Sequence, residues 1–163
     1  MKSIYYSWFE SPIGLLLLAG SESALKLVSF SAGRHAREVD PQWREDRSAF
    51  EEVVRQLQAY FGGQRTSFEL PLKLEGTDFQ KKVWMALQEI PYGETVSYKE
   101  LAESIGRPKA VRAVGAANGA NPIPIIIPCH RVIGNNGSLT GFGGGLPLKK
   151  KLLELESRQL KLI

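Results

Sequence analysis

Sulfur chemistry is nearly absent from this sequence: Cys129 is its only cysteine. That excludes a disulfide within the chain and suits a reducing compartment. Only two histidines, His35 and His130, accompany it, which speaks against a protein-only zinc site. Long hydrophobic runs are also missing. The longest apolar patch, Ile13 to Gly20, ends at Ser21 and Glu22, far short of a membrane span. The opening Met1-Lys2-Ser3-Ile4-Tyr5-Tyr6 has no signal-peptide pattern. No membrane partner and no metal or other cofactor is expected, and the expected location is cytoplasmic.

What is present suits one compact protein or two small lobes. The chain has 163 residues, of which 43% are hydrophobic. Net charge is +4 and unevenly placed. Residues 1–75 carry nine basic and ten acidic side chains, whereas residues 76–163 carry twelve and seven. The half with the cysteine is therefore the basic one. That fits a polyanionic partner, although a solvated basic surface is the commoner cause of so modest an excess.

The pattern predicts an α+β protein: a small N-terminal lobe with an antiparallel sheet and a helix, then a mainly helical domain. In the first lobe, over residues 1–75, Ile4 to Phe9, Gly14 to Ala19 and Ala24 to Phe30 read as strands separated by Ser/Gly turns. Residues 32–46 read as a loop. Phe50, Val53, Val54, Leu57, Tyr60 and Phe61 share one helical face, which Gly62-Gly63 ends. Ser67 to Leu72 reads as a short closing strand. This lobe holds no nucleophile or metal cluster and reads as a scaffold.

The second domain, residues 76–163, opens with Thr77 and Gln80 at capping-box spacing. Phe79, Val83, Trp84, Leu87 and Ile90 form the buried stripe of the helix that follows. Ser97 and Glu100 repeat the box before a short helix that Gly106 ends. Pro108 suits the first turn of the next helix, which runs to about Gly119. Helix, glycine turn, helix is the helix-turn-helix layout, and it is also the layout of a plain αα-hairpin. Lys109, Arg112, Ala113 and Ala116 fall opposite the apolar side, a small-residue face suited to close approach to a nucleic-acid backbone.

Pro128-Cys129-His130-Arg131-Val132 follows the apolar run from Ile123, which is fenced by prolines and reads as a short buried strand or extended segment. A lone cysteine is commonly buried and inert. Here cationic neighbours favour the thiolate, which is the nucleophile. Thr140-Gly-Phe-Gly-Gly-Gly145 allows close backbone approach to a ligand but lacks the Lys-Ser/Thr of a phosphate loop. Pro147 opens a last helix with Leu148, Leu152 and Leu153 on its buried side. Glu156 joins that side, and a carboxylate there needs a partner. His130 is a candidate; a surface-edge position is the alternative.

These residues together resemble the O6-alkylguanine-DNA alkyltransferases. The resemblance rests on Asn121-Pro-Ile-Pro-Ile-Ile-Ile-Pro-Cys-His-Arg-Val-Ile133, with Gly93-Glu-Thr-Val-Ser-Tyr98 and Pro108-Lys-Ala-Val-Arg-Ala-Val-Gly115 upstream. Thr140-Gly-Phe-Gly-Gly-Gly-Leu146 and Leu152-Leu-Glu-Leu-Glu156 match downstream. It covers residues 76–157 strongly and the first lobe in layout only.

The resemblance implies a methylated-DNA–[protein]-cysteine S-methyltransferase working as a monomer on double-stranded DNA. It would repair O6-alkylguanine, and O4-alkylthymine is a further candidate substrate. Cys129 would be the alkyl acceptor and His130 its base, acting through a water, with Glu156 orienting the imidazole. Asn121 would lock the turns before the cysteine, and Tyr98 would donate to the leaving guanine. Arg112 would enter the base stack as a finger, with Lys109, Ala113, Gly115 and Asn135 beside the DNA. The carbonyls of Cys129 and Val132 would accept from the guanine amino group, and Gly143 N–H would approach its oxygen. Phe142 and Gly144 would complete the pocket.

Phe142 stands where many relatives have Tyr, and Gly143 where others have Ser or Ala, which opens the pocket to larger alkyl groups. The zinc ligands of some eukaryotic members are absent, which points to bacteria or archaea. A non-enzymatic lesion binder would lack Cys129. A cysteine hydrolase would need an oxyanion hole and repeated turnover. A regulatory member would need an extra metal-binding domain.

Overall fold

A computed structural model describes residues 3–31, 36–137 and 145–160. The chain divides into two compact units, residues 1–74 and 75–163. In the first, β1 (Tyr5–Ser11), β2 (Gly14–Gly20) and β3 (Leu25–Phe30) form an antiparallel meander. All three lie within a residue or two of the positions expected from their alternation. A fourth strand, β4 (Arg44–Glu45), lies in the segment expected to be loop and pairs parallel with Tyr5 and Tyr6. Two polar, exposed residues carry no periodicity, so nothing in the sequence marked it. Sheet order is β3-β2-β1-β4. Tyr6, Val39 and Trp43 pack on Leu17, Ala19 and Leu27 across one face.

A 3-10 turn at Arg47–Phe50, capped by Asp46, leads into α1 (Glu51–Phe61). Phe50, Val53, Leu57 and Tyr60 are buried on the expected face. Gln56 is buried among them; its amide donates to the Glu69 carbonyl at 3.0 Å and accepts from the Glu69 N–H at 2.9 Å. The strand expected over Ser67 to Leu72 does not form. Leu72 makes a single bridge to Leu25, flanked by bonds from Leu25 N–H to the Pro71 carbonyl and from Lys73 N–H to the Leu25 carbonyl. Pro71 has no N–H for a ladder, and Gln56 occupies the backbone of Glu69.

The second unit begins with α2 (Asp78–Leu87), whose Thr77–Gln80 capping box is complete. Val83, Trp84, Leu87 and Ile90 are buried and Phe79 half-buried. Next come β5 (Val96–Ser97) and α3 (Tyr98–Ser104), again with a complete capping box between Ser97 and Glu100. Gly106, at φ +73°, turns the chain. Pro108 lies in a separate turn closed by the Ala110 N–H on the Arg107 carbonyl, not in the first turn of a helix as expected. Helix α4 (Val111–Gly119) starts three residues later. Lys109 is consequently in that turn; it is exposed, as are Arg112, Ala113 and Ala116 on α4. Val114 and Ala117 face the core, where the Trp84 indole N–H donates to the Ala117 carbonyl at 2.8 Å and ties α2 to α4.

Residues 123–130 are buried, as expected of the apolar run, but they are not a strand. Ile125 sits at φ +75°, and the Ile127 N–H bonds back to the Ile123 carbonyl, so the run is a tight turn. Asn121 explains it. Its amide donates to the Ile127 carbonyl at 2.8 Å, and its oxygen accepts from the Ile123 N–H at 3.0 Å. The extended piece lies further on: β6 (Val132–Ile133) pairs parallel with β5. The last helix, α5 (Leu146–Leu160), buries Lys149, Leu152 and Glu156. No described helix is long and apolar enough to cross a membrane.

Candidate active site

Cys129, His130 and Arg131 form one turn of 3-10 helix between the Asn121-locked turn and β6, and all three are buried. A 3-10 turn points successive side chains in different directions. The cysteine, the histidine and the arginine therefore meet different neighbours within three positions.

Glu156 is the neighbour of the last two. Its Oε2 accepts from His130 Nε2 at 2.7 Å and from Arg131 Nη2 at 2.9 Å. Its Oε1 accepts from Arg131 Nε at 2.8 Å and from the Gly93 N–H at 3.3 Å. Arg131 Nη1 donates to the Ile90 carbonyl at 2.7 Å, and its guanidinium lies 5.6 Å from the centre of the Tyr92 ring. The carboxylate is 1% exposed. Burial alone would raise its pKa, but the hydrogen bonds and charges of His130 and Arg131 win and hold it below the usual carboxylate range.

An ionised Glu156 fixes the state of His130. The 2.7 Å contact requires a proton on Nε2, so the neutral ring carries its lone pair on Nδ1. Nδ1 has no hydrogen-bond partner among the described residues. Burial lowers the His130 pKa, opposed by Glu156 and assisted by the charges of Arg131 and Lys149. His130 is thus a neutral imidazole with one basic nitrogen, held by a carboxylate: the arrangement of a general base and its orienter.

The thiol corrects an expectation. Cationic neighbours were expected to favour the thiolate at rest, yet burial pushes Cys129 up to about 11. The Asn121 hydrogen bond and the Lys149 charge pull the other way without overcoming it. At neutral pH Cys129 is a protonated thiol, and a nucleophile forms only if a base takes the proton.

The other expected residues are distributed around this turn. Tyr98, half-buried at the start of α3, has its ring edge 3.8 Å from the position a Cβ on Gly115 would occupy, so Gly115 gives α4 close contact with the ring. Asn135 is exposed and its Oδ1 accepts from the Lys99 N–H at 3.4 Å. The Cys129 carbonyl already accepts from the Val132 N–H and, at 3.4 Å, from the Asn118 amide. The Val132 carbonyl accepts from Lys149 Nζ and has a second lone pair to offer. Phe142, Gly143 and Gly144 lie outside the described residues. No group of three metal-ligating side chains occurs among the described residues.

Three participants escaped the sequence reading: Arg131 as a partner of Glu156, the buried Asn118, and Lys149. Charged residues are rarely buried unless paired, so Lys149, the first of three consecutive lysines, reads as surface. The one clue was its place three residues before Leu152 and seven before Glu156, on their face of α5.

A buried thiol, a neutral histidine oriented by a carboxylate and a neighbouring pair of short helices define a nucleophilic cysteine protein. Comparison with known proteins narrows this. A sequence model of the 6-O-methylguanine DNA methyltransferase DNA binding domain matches residues 78–158, and one of the ribonuclease-like domain of the same proteins matches residues 4–74. The chain is 57% identical to a methylated-DNA–protein-cysteine methyltransferase of Methanosarcina barkeri, over 97% of this chain and all of that protein. The crystal structure of the Mycobacterium tuberculosis O6-methylguanine methyltransferase is similar at a TM-score of 0.87 and 51% identity, covering 98% of each chain. That of the same organism's OGT in complex with DNA gives 0.89 and 52%, covering 95% of this chain and 94% of that one. This chain belongs to the O6-methylguanine DNA methyltransferase family.

The buried cluster sets a pH response. Glu156 has a depressed pKa in the fold, so its contribution is present above about pH 4.3 and is lost as pH falls through the lower folded value. His130 is also depressed: below about pH 6.5 the unfolded chain takes up a proton that the fold refuses. Both make acid destabilising. Glu156→Gln should lower stability at pH 7 by about 3–5 kcal/mol, because it leaves Arg131 buried without its counter-charge. Its remaining stability should fall less steeply than wild type on acidification, as read from urea midpoints. An unchanged midpoint at pH 7 contradicts this account of the cluster.

Proposed function

We propose that this chain repairs DNA by direct reversal, transferring the alkyl group of O6-alkylguanine irreversibly to Cys129. His130 Nδ1 takes the thiol proton, directly or through a water, while Glu156 holds the ring and balances the imidazolium. The sulfur then bonds to the alkyl carbon, the carbon–O6 bond breaks, and its electron pair leaves on the guanine oxygen. Tyr98 donates to the departing base. Overall the thiol proton replaces the alkyl group on guanine. The product is a thioether, and with one cysteine in the chain no second thiol can accept the group. Each molecule therefore acts once.

The single observation that carries this reading is His130, held at Nε2 by the buried Glu156 at 2.7 Å, with Nδ1 unpartnered among the described residues, and adjacent in sequence to a buried thiol. A thiol pushed up to about 11 needs a base, and His130, next to it in sequence, is suited to that role.

The alkyl group of O6-alkylguanine lies inside a duplex, so the base is extruded, which costs a few kcal/mol. Helices α3 and α4 serve as a helix-turn-helix for this step. The exposed Ala113 and Ala116 allow α4 into the minor groove, Arg112 fills the stack, and Lys109 pairs with phosphate. Binding is independent of sequence because contacts to phosphate and stack carry no base identity. The reading places a monomer at work in the cytoplasm.

Intact-mass measurement after incubation with an O6-methylguanine duplex should show one added methyl group on Cys129 and no further turnover. Cys129→Ala should show none while still binding DNA. Continued turnover by one molecule, or methylation elsewhere, contradicts the mechanism.

Arg112→Ala should lose at least about tenfold more rate on duplex than on free O6-benzylguanine, which needs no extrusion. Arg112→Lys should recover part of the difference, since lysine lacks the planar head group. Equal loss on both substrates assigns Arg112 to the fold or the pocket instead.

A further inference from the structure

Asn118 is a buried polar side chain that the proposed mechanism leaves unused. It lies in the last turn of α4 and is 1% exposed. The bond from the Trp84 indole to the Ala117 carbonyl fixes that turn. The Asn118 amide nitrogen donates to the Cys129 carbonyl at 3.4 Å. Its oxygen, Oδ1, is buried and has no hydrogen-bond partner among the described residues. Asparagine is a poor helix former, and a buried acceptor without a donor is costly. A native fold keeps such an atom where a donor comes to it, and a substrate is one source of that donor.

The Cys129 carbonyl shows which donor. A carbonyl oxygen has two lone pairs. One here receives the Val132 N–H and the other the Asn118 amide. The acceptor that the family resemblance offers to the guanine amino group is therefore already filled. The amide that fills it carries an acceptor of its own. Exchanging the two ends of that amide would set Oδ1 against the Cys129 oxygen with no proton between them, so the oxygen is the end left over. Beside it, the Val132 carbonyl keeps one lone pair beyond its bond from Lys149 Nζ.

An alkyl group on O6 leaves N1 of guanine without a proton. The exocyclic amino group on C2 is then the one strong donor on that edge of the base. Hypoxanthine alkylated at O6 has no such group, and neither does thymine alkylated at O4. A guanine whose alkyl carbon meets the Cys129 sulfur carries its amino group a few ångströms further along the same edge. That is within reach of a side chain bonded to the Cys129 carbonyl.

We propose that Asn118 is a specificity-determining residue: its Oδ1 accepts from the exocyclic amino group of the extruded guanine and so favours O6-alkylguanine over alkylated bases that lack that group. A base that brings no donor leaves the buried oxygen unpaired, and the loss falls on that base alone. The helix that carries Arg112 on its exposed side would thus also read the base taken out of the duplex. The proposal rests on the reading of Cys129 as alkyl acceptor.

Two duplexes that differ by one amino group test it. One carries O6-methylguanine and the other O6-methylhypoxanthine, each opposite an abasic site so that extrusion breaks no base pair. Single-turnover methyl transfer to Cys129 is followed by intact mass. Wild type should transfer from the guanine duplex at least about tenfold faster than from the other. In Asn118→Leu, which is of similar size and cannot accept, that ratio should fall at least about fivefold. In Asn118→Asp, which keeps an acceptor oxygen, it should stay within about twofold of wild type. A residue that merely supports the turn would change both rates alike and leave the ratio where it was.

An unchanged ratio in Asn118→Leu overturns the proposal. So do equal wild-type rates on the two duplexes, a result that stands even if Asn118→Leu does not fold. Transfer to Cys129 from neither duplex overturns the alkyl-acceptor reading and the proposal with it.

Discussion

The buried carboxylate of Glu156 is the constraint on which the second unit depends. It satisfies Arg131 through two hydrogen bonds on one edge of the guanidinium, His130 at Nε2 and the Gly93 backbone with one side chain. Three segments distant in sequence converge there: the turn after α2, the nucleophile turn and α5. A carboxylate and a guanidinium in a water-poor interior are tolerated only as a hydrogen-bonded set. Removing any one member strands the others, so the cluster fixes where α5 lies and how His130 is oriented. Stability and chemistry are not separable at this position.

The same burial that demands the cluster keeps the nucleophile quiet. An exposed thiolate would react with any oxidant or electrophile, whereas Cys129 is held as a thiol up to about 11. For the single-use acceptor proposed above, a cysteine consumed by a stray electrophile is a molecule lost. Under the proposed mechanism the thiolate forms only as His130 takes the proton. Asn121 contributes twice. It locks the turn that carries Ile125 in a left-handed conformation, and its hydrogen bond draws the thiol pKa down.

Much of this was legible in the sequence where local chemistry decides. Both capping boxes, the three-stranded meander and the apolar stripe of α2 follow from residue spacing alone. A carboxylate on an apolar face needs a partner, which made His130 a candidate for Glu156 with a surface-edge position as the alternative, and the family resemblance favoured the pairing. The losses have a common origin in tertiary context. The run from Ile123 to Pro128 looks extended because its turn is made by a side chain outside the run and by an isoleucine in a conformation that isoleucine disfavours. Ser67 to Leu72 looks like a strand because Gln56, thirteen residues before Glu69, cannot be seen to claim its backbone. The neighbours that lower the Cys129 pKa are readable as letters, but the burial that outweighs them is not. Lys149 was passed over because a lysine in a basic run is ordinarily solvated.

The central claim is the protonation state of His130, and nitrogen-15 NMR of the imidazole tests it most directly. Only His35 could be confused with it, and His35→Gln removes the ambiguity. The account predicts, at pH 7, a neutral ring with the proton on Nε2, a bare Nδ1 and a titration shifted below the ordinary pH 6.5. An imidazolium at pH 7, or a neutral ring protonated at Nδ1, would contradict it.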